Sequence, residues 1–191
     1  MESYNFEEAS VETGSVYLKP GNHLVKVTEV KSGVSSQKQT PYVEVKVEGS
    51  DGSSCSQQYY LSTTVKEGGK TSAFKISAAA LLQLVMAANN MDEASAKAKL
   101  AGITSPEALA QKLSAALVGK EFGIRIVGEW VNPQDTTKPS WVKGVFSSGK
   151  FAVAKGEIAT LRAVDATLDV KGAKANGATN VAPQVTAKAA W

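Results

Sequence analysis

The feature that most constrains the fold is a strict alternation of residue types, Tyr-Val-Glu-Val-Lys-Val-Glu, over residues 42–48. The three valines point to one side and the aromatic and charged side chains to the other, as in a β-strand with one buried face. A polar stretch at 33–40 and a Gly-Ser-Asp-Gly turn at 49–52 bracket this segment. Together with candidate strands over 24–30 and 57–62, it predicts a three-stranded meander.

The period of the apolar residues changes after residue 72. Residues 72–89 carry apolar side chains in an alanine-rich background, which favours a helix. Asn90 is placed to end that helix, and Asp92 to cap a short second one. Ser105, followed by proline and glutamate, predicts the start of a third helix that ends at Gly119.

Strand-like segments return at 122–131, 141–146 and 151–154. Three strands, a helical block at 72–118 and a closing set of strands make a mainly β chain with a helical insertion (β/α+β). This order predicts an OB-fold-like antiparallel barrel with helices between strands 3 and 4. The alternative is another small α+β sheet with its helices on one face.

The two ends of the chain differ from its middle. An acidic opening with Tyr4 and Phe6 is typical of an arm or short helix. From residue 159 onward alanine, lysine, threonine, glycine and asparagine dominate, which predicts a domain over 1–158 and a flexible low-complexity tail over 159–191. The opening lacks the basic and apolar regions of a signal peptide, and no apolar run approaches about 20 residues, so we expect a cytoplasmic protein that does not enter a membrane.

Few residues offer catalytic or metal chemistry. The chain has one cysteine, Cys55, and one histidine, His23, and its carboxylates show no metal-ligand spacing. The segment Glu67-Gly-Gly-Lys-Thr resembles the end of a P-loop, but Thr64 stands where the motif needs a glycine. A turn that leads to a capping Thr71 or Ser72 is the better interpretation. We therefore expect a binding protein that is not an enzyme and uses no cofactor or metal.

Aromatic and basic residues interleave on the candidate strands. The net charge is only +3, so a nucleic-acid surface must come from where these residues lie. Aromatic faces stack on unpaired bases while lysine and arginine follow phosphates. Alternation predicts that Arg125 faces outward, and that one of the consecutive Tyr59 and Tyr60 faces away from the core. The candidate nucleic-acid-binding residues are Lys31, Lys38, Tyr42, Lys46, Tyr59, Tyr60, Arg125, Trp130, Trp141 and Lys143. The alternative for each is core packing or an ordinary solubilising charge.

Four segments carry a resemblance to a known family. They are Tyr-Asn-Phe-Glu-Glu-Ala at 4–9, Leu-Lys-Pro-Gly-Asn-His-Leu-Val-Lys-Val at 18–27, Pro-Tyr-Val-Glu-Val-Lys-Val at 41–47 and Leu-Val-Gly-Lys-Glu-Phe-Gly-Ile-Arg-Ile at 117–126. With these the chain resembles small OB-fold-like phage proteins that bind single-stranded DNA in replication and recombination modules. The resemblance covers most of 1–155. It implies binding and protection of single-stranded DNA, cooperative coating of exposed strands, and replication or recombination partners in the bacterial host cytoplasm, while assembly as a homo-oligomer stays open. The OB-like order and the outward aromatic residues, without a base-reading motif, predict that binding does not depend on sequence.

The tail departs from the pattern of many single-strand binders, which end in an acidic segment tipped by an aromatic residue. Trp191 supplies the aromatic tip and is the candidate partner-binding residue. The basic residues of the tail, however, outnumber its two aspartates, so the tail is as well suited to touch DNA as to dock a partner. A second class of function stays open, that of a phage virion or assembly protein with a structural or interaction role and no nucleic acid.

Overall fold

The computed structural model describes residues 18, 20–65, 68–69, 71–126, 128–130, 139–140, 150–162 and 170–171. Strands and helices follow the predicted order, with the three helices between the third and fourth strands. The strands are β1 (Gly21–Val34), β2 (Pro41–Gly49), β3 (Ser54–Tyr60), β4 (Glu121–Ile126), β5 (Gly128–Trp130), β6 (Pro139–Ser140), β7 (Ala152–Ala154) and β8 (Val170–Lys171). The helices are α1 (Ala73–Asn89), α2 (Glu93–Lys99) and α3 (Pro106–Leu117), with a 3-10 helix at Lys155–Thr160.

The helix boundaries follow the capping residues that the sequence offers. The side chain of Ser72 accepts a hydrogen bond from the Lys75 N–H at the start of α1, and Ser105 does the same for Ala108 in α3. Asp92 caps α2. These side chains satisfy N–H groups that a helix leaves without partners in its first turn. The three predicted caps and the predicted end of α1 at Asn90, which adopts a left-handed conformation with φ 48°, are confirmed.

Five strands form one antiparallel sheet in the order β3-β2-β1-β4-β7, and β6-β5-β8 form a small second sheet. The predicted mixture of an antiparallel sheet with inserted helices is confirmed. Closure into a barrel is not found in the described part of the chain, where β3 and β7 end the larger sheet. Helix α1 contacts both of these strands. Pairing between these two edge strands is not found among the described residues.

Strand β1 changes its pairing partner along its length and has an irregularity near that point. Residues 21–26 pair with β4, and 25–34 pair with β2, with a register shift between Val27 and Glu29. An irregularity of this kind bends a strand and increases its local twist.

The core lies between the inner face of the sheet and helices α1 and α3. Val43, Val45 and Val47, the three valines of the alternating segment, are all buried there, as the period of two predicts. Leu84 and Leu113 supply the apolar faces of the two helices. None of the described helices is long and apolar enough to cross a membrane.

The opposite face of β4 is covered by the chain that follows β7. A side chain added at Gly123 would meet Ile158 of the 3-10 helix. Leu161 is only 5% exposed, and the Asn22 amide donates to the carbonyls of Leu161 and Arg162 at 3.2 and 3.3 Å. The boundary predicted at residue 158 falls inside this 3-10 helix, and ordered packing continues to residue 162. Beyond it, the predicted tail lies outside the described residues except for β8, as does the predicted acidic arm at the other end of the chain.

Candidate nucleic-acid interface

The outer face of β1, β2 and β3 is organised in cross-strand rows. Strand register places Gly33, Tyr42 and Tyr60 side by side, and Lys31, Glu44 and Gln58 in the next row. Because side chains alternate along each strand, both rows point away from the core. The two rows are therefore built by the same alternation that buries the valines on the inner face.

The first row holds an aromatic pair. The rings of Tyr42 and Tyr60 lie edge to face, with centroids 6.0 Å apart and planes at 69°. The Tyr42 ring lies across Gly33, where an added Cβ would come within 2.6 Å of the tyrosine oxygen. Because Gly33 has no side chain, β1 leaves room for the Tyr42 ring, which extends from β2.

A cleft of about 1000 Å³ opens beside this pair. It is lined by the end of β1 and the β1–β2 loop, from Val34 to Thr40, and by described residues before α1, with Ile76 on the helix itself. Tyr42, Gln58 and Tyr60 also line it. Val34 is 56% exposed and Ile76 is 62% exposed, so the cleft offers apolar surface to a ligand.

The second row is a chain of polar contacts that ends at the aromatic pair. The Lys31 Nζ lies 3.2 Å from one Glu44 oxygen, and the other Glu44 oxygen accepts from the Gln58 amide at 3.0 Å. The Tyr60 hydroxyl in turn donates to the Gln58 Oε1 at 3.0 Å. The hydrogen bond and charge of Glu44 raise the pKa of the Lys31 ammonium. Lys31 is therefore engaged by a carboxylate.

Of the predicted binding residues, the structure brings Tyr42, Tyr60 and Lys38 to the cleft. Lys31 lies beside it and reaches it through Glu44 and Gln58. Lys46 is exposed on the same outer face, but it does not line the cleft. In the strand register it lies opposite Glu29, two rows from the aromatic pair.

Tyr59 is directed to the opposite face from its neighbour. Its side chain is 3% exposed, and burial raises the pKa of its hydroxyl well above the ordinary value. Its ring packs in the core, so the assignment of Tyr59 to a nucleic-acid surface is wrong. The expectation that one of the two consecutive tyrosines faces outward is confirmed by Tyr60.

Arg125 does not face solvent either. It is 5% exposed, and its Nε donates to the Arg162 carbonyl at 3.2 Å. Alternation correctly directs Arg125 away from Ile124 and Ile126. The predicted outward exposure is wrong because residues 155–162 cover that face of β4.

Four predicted residues cannot be related to the cleft. The side chain of Trp130, which ends β5, lies outside the described part of the chain. Trp141 and Lys143, together with the strand predicted around them, and Trp191 also lie outside the described residues. Their assignments stay predictions.

Sequence reasoning missed Gln58, Glu44 and Gly33 as parts of the site. Glu44 and Gln58 stand on the outward positions of β2 and β3, so alternation carried a signal for them. Gly33 carried none, because only the strand register puts it under the Tyr42 ring. Among the described residues, no group of three or more histidine, cysteine, aspartate or glutamate side chains is arranged to hold a metal ion.

A scan against protein-family models and a search of curated proteins both find no match to this chain.

Proposed function

We propose that this protein binds single-stranded DNA without a strict sequence requirement, with unpaired bases stacking on Tyr42 and Tyr60. The observation that carries the proposal is an aromatic pair, with Tyr60 exposed and Tyr42 half-buried, that lines an open cleft. Stacking on an aromatic side chain contributes about 1–3 kcal/mol per base and tolerates any base. A duplex does not present its base faces in this way, so the cleft favours single strands.

The position of the cleft in the sheet supports the same proposal. OB-folds bind oligonucleotides on the face of strands 2 and 3 and with the loop between strands 1 and 2. The cleft lies on β2 and β3 beside the β1–β2 loop. We propose that the sheet is an OB-like arrangement left open between β3 and β7, and that the protein acts in phage replication or recombination in the host cytoplasm.

The charge of the site predicts how DNA is held. Among the described residues that line the cleft, Lys38 is the one lysine, and Lys31 is paired with Glu44. The described part of the cleft therefore offers few phosphate contacts, and we propose that stacking supplies most of the affinity. The salt dependence of binding should be shallow for a nucleic-acid-binding protein, since each phosphate contact on a single strand contributes a slope of only about −0.7.

The test is a titration of a labelled mixed-sequence single strand and of a duplex of equal length at physiological salt. Tighter binding of the single strand is expected. Equal affinity for the duplex, or no binding of either, would overturn the proposal.

A virion or assembly protein is the second candidate, and the exposed apolar side chains favour it. Val34, Val65, Phe74 and Ile76 are each more than two-fifths exposed. Apolar exposure of this kind also suits a protein partner. If neither the single strand nor the duplex binds, the cleft is better explained as a binding site for a protein partner.

A further inference from the structure

In the polar row beside the aromatic pair, the donor and the acceptor of each hydrogen bond are fixed by the Glu44 carboxylate. An ionised carboxylate can only accept hydrogen bonds, whereas an amide has one end that donates and one that accepts. Glu44 lies 3.0 Å from the Gln58 amide, so the nitrogen end of that amide must face Glu44. The oxygen end of Gln58 is thereby turned toward Tyr60.

The same reasoning fixes the hydrogen bond of the Tyr60 hydroxyl. With the Gln58 Oε1 at 3.0 Å, the Tyr60 hydroxyl must donate its hydrogen to that oxygen. A hydroxyl has one hydrogen and two lone pairs. The hydrogen is committed to Gln58, so the Tyr60 oxygen offers only lone pairs to a ligand in the cleft. The Lys31 Nζ lies 3.2 Å from a Glu44 oxygen, at the start of this series of contacts.

We infer that the nucleotide whose base edge meets the Tyr60 hydroxyl is preferred when that base carries an exocyclic amino group, so that cytosine is bound more tightly than thymine. Cytosine presents an N4 amino donor at the position where thymine presents the O4 acceptor. The Tyr60 oxygen, which offers only lone pairs, bonds to the first group and repels the second. This inference rests on the proposed function and adds a moderate base preference to a site that otherwise tolerates any base.

The experiment compares oligo(dC) with oligo(dT) of equal length by fluorescence anisotropy, at a mildly alkaline pH where cytosine is unprotonated. Both are pyrimidine strands, so ring size does not differ between them. One hydrogen bond gained or lost at a half-exposed site corresponds to about a threefold to tenfold difference in Kd. Oligo(dC) is expected to bind tighter by that factor.

Two variants test whether the hydroxyl and its polar row are the cause. Tyr60→Phe keeps the stacking ring but removes the oxygen, and should bring the ratio of the two Kd values close to one. In Glu44→Gln the residue at position 44 can donate as well as accept, so the Gln58 amide can rotate and present its nitrogen to Tyr60. The Tyr60 hydroxyl then accepts from Gln58 and can donate its hydrogen to a base. The preference for oligo(dC) should then fall or reverse. Glu48→Gln is the matched control, because it makes the same charge change at an exposed position of β2 and should leave the ratio unchanged.

The outcomes separate the two proposals. If the wild-type protein binds neither oligonucleotide, the proposed function fails and the base preference fails with it. If it binds both equally, or oligo(dT) more tightly, the function stands and the inference is overturned. A preference for oligo(dC) that survives in Tyr60→Phe, with an unchanged melting temperature, also overturns it.

Discussion

The ring of Tyr42 on β2 lies over the backbone of Gly33 on β1, so close that a methyl group on Gly33 would sit 2.6 Å from the tyrosine oxygen and from Cζ. The two residues are direct partners in the strand register. Gly33 does not adopt a positive φ, so its backbone accepts alanine without strain. The glycine is required by the ring above it.

Gly33→Ala should therefore displace Tyr42 and weaken DNA binding with little effect on folding. The expected loss lies within about 1–3 kcal/mol, the contribution of one stacked base. Alanine suits a strand better than glycine by about 0.5–1 kcal/mol, which offsets the cost of moving the ring. Gly156→Ala is the matched control, since its added methyl group meets nothing within 4 Å. Equal affinities of the two variants would show that the ring position does not matter.

The consecutive tyrosines should separate binding from stability. Tyr60→Ala removes an exposed ring and should weaken binding by about 1–3 kcal/mol with a small change in melting temperature. Tyr59→Ala removes a buried ring and should lower the free energy of unfolding by about 3–5 kcal/mol, with unchanged affinity per folded molecule. Titrations paired with denaturant unfolding measure both quantities. The reverse assignment of effects would contradict the placement of the cleft.

Lys38→Gln should make the salt dependence of binding shallower, because Lys38 is the one lysine among the described residues that line the cleft. The slope of log affinity against log salt should change by about 0.7, the value for one phosphate contact on a single strand. Lys99→Gln removes the same charge from the end of α2 and serves as the control. Identical slopes for the two variants would exclude Lys38 as a phosphate contact.

Leu161→Ala should destabilise the domain although Leu161 lies in the sequence predicted as tail. Removing a side chain that is 5% exposed costs about 2–5 kcal/mol. Val118→Ala, at a residue that is 42% exposed, should change stability by no more than about 0.5 kcal/mol. Urea unfolding of the two variants checks this. Equal and small effects would mean that residue 161 does not belong to the folded unit.

Local patterns predicted the parts of this fold that depend on local physics. The alternation at Val43, Val45 and Val47 predicted a one-sided strand, and Ser72 and Ser105 predicted helix starts, because each signal acts within a few residues. Barrel closure depends instead on whether the edges β3 and β7, which are far apart in sequence, pair with each other. Nothing near those edges in sequence decides that question.

For the candidate site too, local patterns predicted some features, and others depend on distant parts of the chain. Alternation predicted that Tyr42 and one of the two consecutive tyrosines face outward, but it could not place them beside the β1–β2 loop. Arg125 was predicted on the correct face of its strand. Its burial depends on the carbonyl of Arg162, which lies 37 residues further along the chain.

The measurement that tests the account most directly is fluorine NMR of the protein labelled with 3-fluorotyrosine, titrated with single-stranded DNA. The five tyrosines can be assigned by single Tyr→Phe variants. The account predicts that the signals of Tyr42 and Tyr60 shift together with saturation, while the signal of the buried Tyr59 stays in place. Binding that leaves Tyr42 and Tyr60 unshifted would contradict the central claim, because the strand would then lie on another surface.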